Sequence, residues 1–134
     1  MLGLLDRFRK KKEKKVDIET KKTITELEEF CGDDKETYEA LHGTMFLDPR
    51  KIGTSMKEAV ENAKKSEKEK DFVKARAWYE IAGGLAIYEG NVKKVVEFFR
   101  EIEKISPDMK YPILKNPEKA VEKAQEYYKK YLKA

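Results

Sequence analysis

Apolar residues recur at intervals of three and four along nearly the whole chain, and no segment of useful length alternates with period two. The first spacing marks one face of a helix and the second a half-buried strand, so the pattern predicts an all-α protein of about six helices. A first helix is expected over about 18–31, with Ile24, Leu27 and Cys31 on one face and Gly32 as its stop. A second, over about 34–46, carries Tyr38, Leu41 and Met45, with Asp33 and Glu36 spaced as a capping box. The third, over about 56–69, opens with another such box, Ser55 and Glu58, and carries Ala59, Val60 and Ala63.

The fourth helix, over about 72–89, has two apolar stripes. Phe72, Ala75, Tyr79, Ala82 and Ala86 form one, and Trp78, Ile81, Leu85 and Tyr88 the other. A helix apolar on two sides is sandwiched between neighbours. The fifth, over about 92–105, has Val92, Val95, Phe99 and Ile102. The sixth, over about 117–133, starts with Asn116 as cap and Pro117 in the first turn, and its stripe is Val121, Ala124, Tyr128 and Tyr131. Residues 17–134 thus read as one compact domain, a hairpin over 17–48 followed by a stack over 49–134 that the sixth helix closes. Residues 1–16 stand apart as a basic amphipathic tail.

Within residues 76–109, Tyr79, Ala82, Gly83 and Ala86 share a helix, Gly90-Asn91 makes the turn, Val95, Phe99 and Ile102 continue on the next helix, and Pro107 ends it. A residue as small as Gly83 lets two helix backbones approach, and Val95 is expected to face it across the hairpin. This segment resembles a tetratricopeptide (TPR-like) repeat, the helix-turn-helix unit of about 34 residues. It departs from that pattern at Ala82, where the family has Leu, at Ala86, where it has an aromatic, and at Val95 and Ile102, where it has Ala. An overlapping register beginning at Met56 also fits, through Ala59, Ala63, Asp71, Ala75, Tyr79 and Ala82. Both registers claim the 72–89 helix, so antiparallel hairpins stacked as a short TPR-like solenoid or bundle is the expected fold. The resemblance implies a scaffold that binds a peptide or helix in a groove lined by the first helix of each pair. The groove positions fall on Ala77, Glu80, Gly84, Ile87 and Tyr88. The family's clamp for a terminal carboxylate uses Lys and Asn, whereas Glu80 and Gly84 stand here, so a partner helix laid apolar face down is expected instead.

Charge sharpens the division of the chain. Of its 134 residues 42% are charged, yet 30 basic groups against 26 acidic ones leave only +4. Residues 1–15 hold seven of the bases and two of the acids, a net +5, and the remaining 23 bases and 24 acids leave the body at −1. The basicity describes a tail and not a nucleic-acid-binding surface on the fold. High Lys and Glu with few amides is also the bias of hyperthermophile proteins, although helix-forming surface residues give a similar skew.

In the tail, Met1, Leu2, Leu4, Leu5 and Phe8 fall within an arc of about 160° at 100° per residue. Arg9 is the only charge inside that arc, Arg7, Lys10 and Lys11 lie outside it, and Lys12, Lys14 and Lys15 follow. The arrangement resembles short basic anchors that lie in a membrane interface and bind reversibly. Docking on the protein itself and contact with a polyanion are the other readings. Nucleic acid is the weakest, because only Phe8 is available for base stacking. The longest apolar-plus-Gly stretch, Ile81 to Tyr88, is far below the roughly 20 residues that cross a membrane.

Chemistry is sparse. One Cys excludes an internal disulfide, and one His excludes any site built on two. Cys31 and His42 have no third group to complete a nucleophile, base and orienter; Cys31 is expected in the core and His42 as a partly buried spacer. Asp33-Asp34 reads as helix capping, Gly83-Gly84 as helix interior, and Met45-Phe46-Leu47 as an apolar run buried at the junction with the third helix. No catalytic residue, metal site or cofactor is expected. The sequence points to a non-enzymatic, TPR-like protein-binding scaffold, cytoplasmic and open to a peripheral place on the inner face of the membrane. The alternative is a nucleic-acid- or ribosome-associated helical protein acting through the tail.

Overall fold

Side-chain caps fix where the helices begin. In the computed structural model, which describes residues 26–132, the helical end of the first segment covers 26–31 (α1) and turns at Gly32, whose φ is 58°. The next helix, α2, is Lys35–His42 and is capped by Asp34, whose carboxylate accepts from Thr37 N at 3.1 Å. The cap is thus one residue later than the Asp33–Glu36 spacing predicts. Ser55 caps α3 (Met56–Lys68), Asp71 caps α4 (Phe72–Glu89), Asn91 caps α5 (Val92–Ile105) and Asn116 caps α6 (Pro117–Tyr131). Each accepts the amide three residues on, which satisfies one of the donors that a helix start leaves open. Two short 3-10 turns, Pro49–Lys51 and Pro112–Lys115, complete the secondary structure, and the described residues contain no strand.

The helix ends are equally local. Lys70 adopts φ 60°, and after it Asp71 N donates to Ser66 O at 2.9 Å while Lys70 N donates to Glu67 O at 2.9 Å. The same pair of bonds closes α4, with Gly90 at φ 72° in the left-handed position. Turns this short make α3, α4 and α5 antiparallel neighbours. α2 ends at His42, four residues before the apolar pattern does, because Thr44 N and Met45 N turn back onto Leu41 O and the Thr44 hydroxyl donates to Ala40 O.

α4 is the central helix, but the expected double stripe is covered on one side only. Ala75, Tyr79, Ala82 and Ala86 are buried, whereas Trp78, Ile81 and Leu85 are half-buried and Phe72 and Tyr88 exposed. α3 and α5 flank α4, and α6 and the Pro49–Lys51 turn also pack against it. Its Ala75, Ala82, Gly83, Ala86 and Ile87 are buried. The core continues through Leu41 on α2, Phe99 and Ile102 on α5, Ile113, and Val121 and Ala124 on α6. Fully burying side chains of the size of Leu41 or Ile102 stabilises the fold by about 1.5–3 kcal/mol each.

The N-terminal hairpin does not continue the stack in chain order. α2 packs on α6 and on the Pro112–Lys115 turn, and no Cα of α2 comes within 8 Å of one on α3. Lys119 of α6 pairs with Asp34 at 3.0 Å, the Tyr128 hydroxyl donates to Phe46 O at 2.6 Å, and Phe30 meets the edge of Tyr127 at 5.6 Å. Of the two arrangements that the pattern allows, solenoid or bundle, the described residues form an all-α bundle whose first and last helices meet.

Candidate interaction cleft

α3 and α5 both lean on α4 but not on each other, for no Cα of one lies within 8 Å of a Cα of the other. The reason is in the side chains. α3 turns the small residues Ala59, Ala63 and Ser66 to its buried side, and α5 buries Val95, Phe98, Phe99 and Ile102, so each is drawn onto α4. Between them runs an open cleft in two lobes of about 450 and 610 Å³, which share Val60, Lys64, Glu97 and Phe98 as lining. Half-buried Met56 and Val60 supply its open apolar surface, and the buried rings of Phe98 and Tyr79 close its floor. The rings of Tyr79 and Phe98 stack with centroids 6.4 Å apart.

Charged side chains edge the cleft. Lys57, Glu61, Lys64, Glu67 and Lys68 come from α3, Lys94, Glu97 and Glu101 from α5, and Glu89 from the end of α4. Lys94 pairs with Glu97 at 3.3 Å and holds its ammonium 5.8 Å above the Phe98 ring. Glu67 accepts from the Tyr79 hydroxyl at 2.5 Å, so one α3 carboxylate is turned down into the cleft. Burial first, then that bond and the neighbouring carboxylates, pushes the Tyr79 hydroxyl far above the usual phenol range. It stays a donor at any physiological pH.

The groove predicted on α4 is only partly open. Ala77 is exposed and Glu80 half-buried, with Arg76 Nε 3.6 Å from Glu80 Oε1. Burial raises the Glu80 carboxyl, and burial followed by the Glu80 charge pushes the Tyr111 hydroxyl up to about 12. Farther along, Gly84 and Ile87 are buried and unavailable to a partner. The half-buried ring of Phe46 lies against Gly84, where a side chain would collide with it. Over the helix end, Gln125 of α6 donates to Ile87 O at 2.7 Å and to Tyr88 O at 2.8 Å, while Tyr128 meets the Tyr88 ring edge-on at 5.1 Å. Tyr88 keeps 38% of its surface exposed. The protein's own residues fill the second half of that groove.

Val60, Lys64, Glu97 and Phe98 were not singled out in the sequence as groove residues. The signal for Val60 is its place beside Ala59 and Ala63 in the apolar pattern of α3. The atoms nearest to a side chain at Gly83 belong to the Phe99 ring. Met45 is buried as expected, but Phe46 reaches α4 instead of stopping at the start of α3.

Cys31 is buried and burial raises its thiol, the reverse of what a nucleophile needs, and His42 is exposed beside Tyr38 instead of partly buried. Among the described residues no group of three or more His, Cys, Asp or Glu side chains is placed to hold a metal ion, and no helix is long and apolar enough to cross a membrane. Leu2, Leu4, Leu5, Arg7, Phe8, Arg9, Lys10, Lys11, Lys12, Lys14 and Lys15 lie outside the described residues. Compared with protein-family models, curated proteins and solved structures, the chain matches none.

Proposed function

We propose that this chain is a non-enzymatic, TPR-like protein–protein interaction module that works in the cytoplasm and is held at the inner membrane face by residues 1–15. The observation that carries the reading is the α3–α5 cleft, an apolar strip between charged rims and open along two helices held apart by α4. Clefts of this kind take the apolar face of an amphipathic helix. The membrane part rests on the apolar arc of Leu2, Leu4, Leu5 and Phe8 with its basic surround.

The test uses the full chain as bait in native extract, with chemical cross-linking before washing. A protein recovered in near-equal amount and cross-linked to α3 and α5 is the expected result. Recovery of RNA alone, lost at raised salt and after deletion of residues 1–15, would select the nucleic-acid alternative. Cosedimentation with anionic vesicles should fall when those residues are removed, and binding unchanged by their removal would end the anchor reading.

A further inference from the structure

Building on the reading of the chain as an interaction module, we propose that the cleft selects a partner helix whose apolar stripe has acidic residues along one edge and basic residues along the other. The two walls of the cleft differ in sign. On α3, Lys57, Lys64 and Lys68 are seven and eleven positions apart and so fall within about 40° of one another around the helix. Glu61 stands among them, while Glu67 is turned inward onto the Tyr79 hydroxyl. On the α5 side, Glu89, Glu97 and Glu101 face two lysines, Lys94 and Lys104. The Lys94 ammonium is engaged by Glu97 and the Phe98 ring, and that of Lys104 lies 3.9 Å from Glu101.

The α3 wall is therefore positive by one charge and the other negative by one, with half-buried Met56 and Val60 between them above the buried Phe98 ring. A helix with two basic edges meets repulsion from the α3 lysines, and one with two acidic edges meets it from Glu89, Glu97 and Glu101. A helix with one edge of each sign meets attraction on both sides. α3 is 13 residues long, about 20 Å at 1.5 Å per residue, so a partner helix of three to four turns fits its length.

Three synthetic 14-residue helices with one leucine stripe test this by fluorescence anisotropy on the full chain. One carries Glu on one edge and Lys on the other, one Lys on both, and one Glu on both. The mixed-edge peptide should bind roughly tenfold more tightly than either of the others, with the gap closing at high salt. E97K/E101K should move the preference to the Glu-edged peptide and K64E/K68E to the Lys-edged one, circular dichroism confirming that both variants remain helical. Equal affinities, or no binding by any peptide, would overturn the proposal while leaving the extract experiment to decide the module reading. A cross-link from a photoreactive group at Leu5 to α3 or α5 within the same chain would assign the cleft to residues 1–15 and overturn it too. A dimer abolished by E97K/E101K would assign it to a second copy, with the same consequence.

Discussion

The ring of Phe99 lies against the backbone of Gly83, so close that a methyl group built there would stand 2.6 Å from Phe99 Cε2 and Cζ. Phe99 is almost wholly buried and cannot swing aside. Gly83 is what allows α5 to seat on α4.

Gly83→Ala is accordingly expected to destabilise the protein although alanine favours a helix. Overpacking costs typically 1–3 kcal/mol and the helix preference returns about 1. A net loss of up to about 2 kcal/mol should appear as a lower thermal midpoint by circular dichroism. Gly84→Ala should cost less, because Phe46 is half-buried in a segment outside any helix and has room to give way. Equal losses at the two positions would show that the environment of the ring does not matter.

Lys70 sits in the left-handed region, where a side chain crowds its own backbone, at the place that Gly90 occupies at the end of the next helix. Lys70→Gly should stabilise the protein by about 0.5–1 kcal/mol, the gain expected when glycine takes over a left-handed helix end. Urea titration gives the value. Gly90→Lys should move it in the opposite direction.

Gln125 donates its amide to two carbonyls at the negative end of α4. Gln125→Glu replaces that donor with an anion facing two acceptors, and at pH 7 about 1–3 kcal/mol should be lost. Gln125→Met, which removes the donor without adding charge, should lose less. Lowering the pH to about 4 should return part of the Gln125→Glu deficit by protonating the new carboxyl. Thermal midpoints at the two pH values provide the check.

Burial raises the hydroxyls of Tyr79, Tyr111 and Tyr128 above the ordinary value of 10.0, that of Tyr111 to about 12. A group whose folded pKa is raised binds its proton more tightly in the folded state. Its contribution is complete below the unfolded value and is lost as pH climbs from there through the folded one. Stability should therefore be level near pH 8–9 and fall steadily above about 10. Tyr128→Phe should flatten that fall while weakening the protein at neutral pH, since Phe46 O loses its donor. A fall equally steep in wild type and variant would remove Tyr128 from the explanation.

Residues 1–25 aside, the helix starts were legible because the forces that set them are local, whereas the end of α2, set by the Thr44 turn, was not. Ser55, Asp71, Asn91 and Asn116 each bond to an amide three positions on, and Gly90 frees the chain to turn immediately afterwards. α4 and α5 accordingly run over the ranges that the pattern predicts. The one-residue shift from Asp33 to Asp34 arises because adjacent aspartates offer the same chemistry, and only the backbone conformation selects between them.

The sequence by itself determined an all-α chain and, to within a residue, where α2 to α6 begin, because caps act over three positions. It did not determine which neighbour covers which stripe. That Phe46 lies on Gly84, that α2 packs on α6, and that α3 and α5 stand apart depend on residues as far apart as Phe46 and Tyr128 meeting in space. Such pairings have no period along the chain. Only the tertiary structure therefore closed the far half of the predicted groove and opened the cleft around Val60 and Phe98.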